Sequence, residues 1–306
     1  SFPINGLYLF LALIFYSAKQ IRRSNEMKVR YLLIGMVVLF VAGVLTTSSY
    51  ARYDPKTLAG IWLFDEGKGN TTADSSGNKN DGTFKGSPKW SDGKFSKCLE
   101  FDGASAYVDC GNGESLDITK AITVAAWVKF KKIDYKGAGG GLFFIASKGN
   151  PDAVAPNSGW WFSYDNRANG QGFPYTCFGN SAGGWAGGGN NFSGYNFVFD
   201  NGVWYHLAIT VEKSIAKLYI NGDQSGADKP LSNLVLSNTS TNFCIGSYIT
   251  NYYFNGLIDD VAVFNVALTM QDIQNTMNTG LKVFLSSNAV DLSGKLVATW
   301  AVIKTQ

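Results

Sequence analysis

Residues 58–130 read LAGIWLFDEGKGNTTADSSGNKNDGTFKGSPKWSDGKFSKCLEFDGASAYVDCGNGESLDITKAITVAAWVKF. The stretch opens on GIWLF, where strict alternation puts Trp62 and Phe64 on one face of a strand and Ile61 and Leu63 on the other. Asp74 to Gly82 follows, too rich in Asp, Asn, Ser and Gly for a helix or strand. CLEFDGASAYVDC has the look of a hairpin centred on Ala104, and AITVAAWVKF of a long strand built from β-branched and aromatic residues. The same pattern continues outward in LFFIASK, GWWFSY, FPYTCF, VWYHLAITVE, AKLYI and GLIDDVAVF, with Asn221-Gly222 as a turn. A single helix is expected over Leu268–Asn278, with Thr269 as N-cap and Asp272 at its third position. These elements predict an all-β, two-sheet antiparallel sandwich of the jellyroll type with one short helix near the C-terminus. Its core should include Trp62, Phe64, Phe101, Val124, Trp127, Leu207, Ile209, Ile245, Val261 and Val263.

The ordered set WLFDEG, DSSGNKNDG, LEFDGASAYVD and SLDITKAITVAAWVK resembles the laminin-G-like jellyroll of the concanavalin A-like lectin/glucanase superfamily. NGVWYHLAITVEKSIAKLYINGDQSG, FCIGSY and FNGLIDDVAVFNVALTMQDI resemble the strands and helix that close that fold. The resemblance spans roughly residues 58 to 280. It implies a two-sheet sandwich, often with calcium and often binding glycans. It does not imply one ligand, because the fold hosts lectins, hydrolases and structural modules.

Before this domain lies a leader. Met27–Arg30 is basic, Tyr31–Leu45 is an apolar run and Thr46–Ala51 is small and polar, with Ser49 and Ala51 placed for cleavage. That is the layout of a secretory signal over 27–51, with an uncleaved membrane anchor as the alternative. Met27 opens a complete signal by itself, so residues 1–26 read as an upstream apolar segment outside the native protein. The rival is a two-span hairpin with a cytoplasmic basic loop. The expected organisation is therefore a jellyroll over 52–280 and a tail of short strands over 281–306, with the domain secreted or in the cell envelope. Membrane contact would come only through an uncleaved leader.

Of the 26 Lys and Arg and 23 Asp and Glu, five and one fall in residues 1–51, so the remainder is close to neutral. A neutral domain has no electrostatic footprint for nucleic acid. An even number of cysteines in an exported domain permits disulfides. Cys98 and Cys110 lie symmetrically about Ala104 and would pair across that hairpin, and Cys177 with Cys244 follows from parity alone; buried free thiols are the alternative.

Three kinds of site are candidates. Asp74, Asn78, Asn80 and Asp260 offer hard oxygen ligands for a structural calcium that would tie the first loop to the last strands. Alternation would turn one of Asp259 and Asp260 inward. The competing reading is a turn whose Asx side chains cap their own backbone. Second, Trp160, Trp185 and Tyr195, with Asn190 and Asn191 as polar neighbours, would stack on and hydrogen-bond a glycan, the competing reading being aromatics buried under their own loop. Third, catalysis has little support. A glycosidase needs two carboxylates across a cleft, and the Glu-x-Asp-x-x-Glu strand of the glucanase branch is absent. The single His, His206, lies on an apolar strand and is expected in the core or at its edge. The sequence thus favours a non-catalytic module for a glycan or cell-surface component. The alternatives are a structural or adhesive module for protein and a divergent polysaccharide hydrolase or lyase.

Overall fold

The computed structural model describes residues 54–133, 141–149, 159–166, 172–179, 186, 197–236, 239–248 and 252–289. The chain divides into two units, Ser1–Tyr50 and Ala51–Gln306, and all described residues belong to the second. Among them no helix is long and apolar enough to cross a membrane.

Among the described residues, sixteen strands and two α-helices run in chain order. They begin β1 (Leu58–Trp62), β2 (Thr71–Thr72), β3 (Gly82–Lys85), β4 (Lys89–Asp92), β5 (Lys97–Asp102) and β6 (Tyr107–Asp109). Next come β7 (Ala121–Phe130), β8 (Leu142–Lys148), β9 (Trp160–Asp165), β10 (Phe173–Phe178), β11 (Trp204–Glu212) and β12 (Ile215–Ile220). β13 (Asp223–Gln224), β14 (Lys229–Pro230), β15 (Phe243–Ile245) and β16 (Asn255–Phe264) complete the strands, before α1 (Met270–Thr279) and α2 (Leu281–Ala289). The larger sheet has the order β13-β12-β11-β7-β16-β5-β4, with β1 also on β16 and β14 on β12; the smaller has β10-β9-β8-β15-β6-β3-β2. The strand pairs are antiparallel.

Alternation explains the layers. Along β7, Ile122, Val124, Ala126, Val128 and Phe130 point into the space between the sheets, where they meet Trp62, Leu207, Ile209, Ile245 and Val261. The outward residues of the same strands are small where something must lie on them. Ala208, Ala125 and Ala262 sit side by side across three strands. On that flat row rest Ile273 of α1 and Leu281 and Phe284 of α2. Each buried aliphatic or aromatic side chain there contributes roughly 1.5–3 kcal/mol. α1 begins at a capping box, the Thr269 hydroxyl accepting from the Asp272 N–H while the Asp272 carboxylate accepts from Thr269. All ten expected core residues are buried, although Trp127 lies on the outward face of its strand.

Four expectations are corrected. Cys98 and Cys110 do not face each other in a hairpin. β5 pairs with β4 and β16 in one sheet and β6 with β3 and β15 in the other, so the turn at Gly103–Ala106 carries the chain between layers. Cys177 and Cys244 do share a face, in the row Cys177–Trp161–Ser147–Cys244, but three strand spacings, about 14 Å, separate them. None of the four forms a disulfide, and all are buried. The start of the tail is helical rather than extended: Leu281, Phe284 and Leu285 form an apolar stripe at helical spacing, and the Asp260 carboxylate accepts the first N–H, from Leu281, at 2.9 Å. Finally, neither Asp259 nor Asp260 turns into the core. A β-bulge falls between Asp259 and Ala262, where β16 changes partner from β5 to β1. The extra residue leaves Ile258 and Val261 as the inward pair.

Candidate functional site

The outward face of the larger sheet changes character along β7. Beyond the alanine row comes a second row in which His206 pairs with Trp127 and Trp127 with Asp259. The loop Gly93–Ser96 covers it. Lys94 and Phe95 donate their N–H groups to Asp259 Oδ2 at 2.8 and 2.9 Å, Phe95 packs edge-on to Trp127, and the Lys94 ammonium lies 4.3 Å from the Trp127 ring centre. Gly93 is required here, since a Cβ would come within 2.5 Å of Asp259 Oδ2. Burial pushes the Asp259 carboxyl up to about 8; three backbone N–H donors oppose that rise and the Asp260 charge adds to it. Burial likewise raises Asp260 to about 7, against the Leu281 N–H, with nearby Asp65 adding to the rise and Lys282 opposing it. His206 is buried and held neutral by desolvation, its basicity lowered to about 3. Its Nδ1 and the Trp127 Nε1 have no hydrogen-bond partner.

The third row is open. Trp204, Lys129, Leu257, Glu100 and Lys89 stand side by side across five strands, and Trp204, Lys129, Leu257 and Glu100 are only half-buried. The Lys129 ammonium sits 4.9 Å from the Trp204 ring centre. At the far end a groove of about 430 Å³ is lined by Ser87, Lys89, Glu100, Phe101, Asp102, Lys131, Lys132 and Asn255. Lys131 and Glu100 form an ion pair at 2.7 Å. Partial burial works to raise the Asp102 carboxyl, but the N–H groups of Ala104, Ser105 and Ala106 and the Ser105 hydroxyl outweigh it and hold it at about 2. Glu100 and Asp102, two residues apart on one face, have a spacing of about 7 Å, which falls in the range of glycosidase carboxylates. Asp102, held low by these donors, is not poised as a general acid. The carboxyls that titrate near neutrality, Asp259 and Asp260, are 0% and 6% exposed beneath a loop and a helix end.

The residues singled out from the sequence go elsewhere. Trp160 is 4% exposed and belongs to the inter-sheet core beside Phe243, so it is not a stacking surface. Trp161, on the opposite face, is also buried, in an outward cluster with Phe144, Cys177 and Tyr248. Trp185, Asn190, Asn191 and Tyr195 lie outside the described residues. Asp74, Asn78 and Asn80 do converge, and they hold protein rather than present a cation site. Asp74 Oδ1 accepts from Ile61 N and Ser76 N, and Oδ2 from Asn80 N and Nδ2. Asn78 Nδ2 donates to the Leu58 carbonyl, and Asn80 Nδ2 to that of Ala59. With four donors on one carboxylate and both amides turned nitrogen-first, this donor set does not fit calcium as arranged. Asp260 makes its hydrogen bond to α2, not to this loop. Among the described residues no group of three or more His, Cys, Asp or Glu could hold a metal ion. The Trp204 row was missed because it depends on the register of β4, β5 and β16. The only local signal is the alternation of Glu100 and Asp102 with buried Leu99 and Phe101.

Two antiparallel sheets, a half-exposed tryptophan in line with an open polar groove, and carboxylates engaged by their neighbours define a jellyroll of the lectin-like class. The chain belongs to the concanavalin A-like lectin/glucanases superfamily, whose laminin G-type family model matches residues 102–274. Among solved structures, it is similar to domain 4 of AbnA, a GH43 extracellular arabinanase from Geobacillus stearothermophilus, in complex with arabinotriose. Identity is 21% and the TM-score 0.55, over 72% of this chain and 98% of that one. It is also similar to the binding domain of Paraclostridial Mosquitocidal Protein 1, at 20% identity and a TM-score of 0.54, over 74% of this chain and 53% of that one. At these identities the likeness is one of fold. A search of curated proteins gives no match.

Proposed function

We propose that this domain is an exported, non-catalytic module that binds a glycan of the cell surface or its surroundings, along the outward row from Trp204 to the Glu100–Asp102 groove. The observation that carries the reading is the placement of an accessible indole in register with an open polar cleft. Four strand spacings, about 19 Å, separate Trp204 from Lys89, room for a short oligosaccharide. The indole supplies a stacking face, and Lys89, Asn255 and Ser87 supply donors and acceptors for hydroxyls. A non-catalytic role is supported by the engagement of Glu100 and Asp102, and a glycan by the arabinotriose bound to the arabinanase domain of like fold. Export rests on the leader at 27–51.

Titration of the chain with a panel of neutral and acidic oligosaccharides, arabinotriose among them, tests this. A single such site should bind with Kd from micromolar to millimolar, about −8 to −4 kcal/mol. Trp204→Ala should abolish binding while costing about 1 kcal/mol of stability or less, because the ring lies outside the core clusters. Retained affinity in that variant would remove the site. A second reading, a protein partner, is favoured by Val203, the residue before Trp204, and Val198, which are 44% and 60% exposed. Absence of binding to every saccharide would turn the argument toward it.

A further inference from the structure

Lys148 ends β8 with its side chain pointing inward, opposite Trp160 and Phe243, both of the core. A lysine that is 2% exposed at such a position needs partners for its charge. Its Nζ donates to Asn112 Oδ1, to the Thr241 carbonyl at 3.1 Å and to the Thr239 carbonyl at 3.4 Å. It lies 3.6 Å from Asp117 Oδ1. These four atoms are an amide oxygen, two main-chain carbonyls and one carboxylate, which is the mixture that hard cations select. An ammonium carries three protons, and Asp117 Oδ1, at 3.6 Å, acts chiefly through its charge. The oxygens come from two separate segments. One runs from Asn112 to Asp117 around a 3-10 turn at Glu114–Leu116, and the other from Thr239 to Thr241 just before β15.

We infer that the Lys148 ammonium is a tethered cation, filling an oxygen cage that would otherwise take a metal ion and so fastening these two segments without one. The arrangement supplies what a calcium would supply at the end of a sandwich: one positive centre on which loop oxygens from distant parts of the chain converge. Because the cation is covalently attached, its effective concentration does not fall with the calcium level outside the cell. The Thr239 and Thr241 hydroxyls, 2.6 Å apart, close the segment on itself and keep both carbonyls turned toward the ammonium.

Thermal melting of the full chain tests this. Wild-type protein should melt at the same temperature in EDTA and in millimolar CaCl2. Lys148→Ala should lower Tm on the order of 10 °C, the effect of emptying a core position and leaving the part-buried Asp117 and the other oxygens without their cation. It should then recover at least half of that loss in CaCl2, KCl or methylammonium chloride. The three probes separate divalent, monovalent and ammonium fits, and recovery with any of them supports the cage. No recovery with all three overturns it, as does a wild-type Tm that drops in EDTA. Asp117→Asn keeps the lysine and removes the only carboxylate of the cage. It should lower Tm by several degrees, and an unchanged Tm in that variant would also overturn the inference, whether or not Lys148→Ala folds.

Discussion

Trp160→Ala is expected to cost about 3–5 kcal/mol of folding stability, measured by urea unfolding. The indole lies 5.8 Å from the ring of Phe243, which in turn stacks on Trp62 at 4.9 Å. The three rings form one continuous layer between the sheets at the end where Lys148 is held. Removing one end of this aromatic layer leaves a cavity that β-strands on both sides cannot collapse into. A variant as stable as wild type that had lost glycan binding would instead return Trp160 to the surface and displace Trp204 as the platform.

Stability should pass through a maximum at about pH 4, and this follows from four groups. Asp259 and Asp260 have folded pKa values raised to about 8 and about 7. Their contribution is fully present below the unfolded value near 3.8 and is lost as pH rises through 7 and 8, because the fold prefers them protonated. Within that window each costs about 1.4 kcal/mol per pH unit. His206 works in the other direction: its folded value of about 3 lies below the ordinary 6.5, so stability falls as pH drops between those limits. Asp102, lowered to about 2, adds a further loss below its ordinary 3.8. From pH 8 to 4 the two carboxyls outweigh the one imidazole, and below 4 only the opposing pair remains. The groups facing Asp259 are the N–H groups of Lys94, Phe95 and Asp260, together with the Cys98 thiol. Denaturant midpoints measured across pH 3 to 9 check this, and Asp259→Asn should reduce the slope between pH 4 and 8 by about one proton. A stability curve rising steadily from pH 4 to 8 would contradict it.

The strands were legible because each carries its own period. Ile122, Val124, Ala126 and Val128 alternate with Thr123, Ala125 and Trp127, and that pattern needs no knowledge of the partner strand. The helix start at Thr269 was legible for the same reason, since a capping box is closed within four residues. The Asp74 loop was legible as a turn of Asx residues, while the direction of its amides, toward the Leu58 and Ala59 carbonyls, was not. Trp160 and Trp161, neighbours on one strand, lie on opposite faces, and a single strand cannot report that both faces of its sheet are covered.

What the sequence by itself determined is therefore the local order: strand identity, turn identity, the inward set of apolar residues and the sandwich they demand. The tertiary structure alone decided which strands are neighbours. Registry about Ala104 joined β5 to β6, whereas the chain separates them into two sheets and brings β5 to β16, more than 150 residues away in the chain. That pairing creates the Trp204–Lys89 row, and the bulge where β16 exchanges β5 for β1 sets Asp259 and Asp260 beneath a loop and a helix end. The oxygen cage about Lys148 likewise draws on residues 112–117 and 239–241. The physical reason is common to all three. Alternation and turn chemistry act over a few residues and are written in them. Pairing between sheets is chosen by the burial of whole faces at once, and the polar groups brought together at the seams are a consequence of that choice.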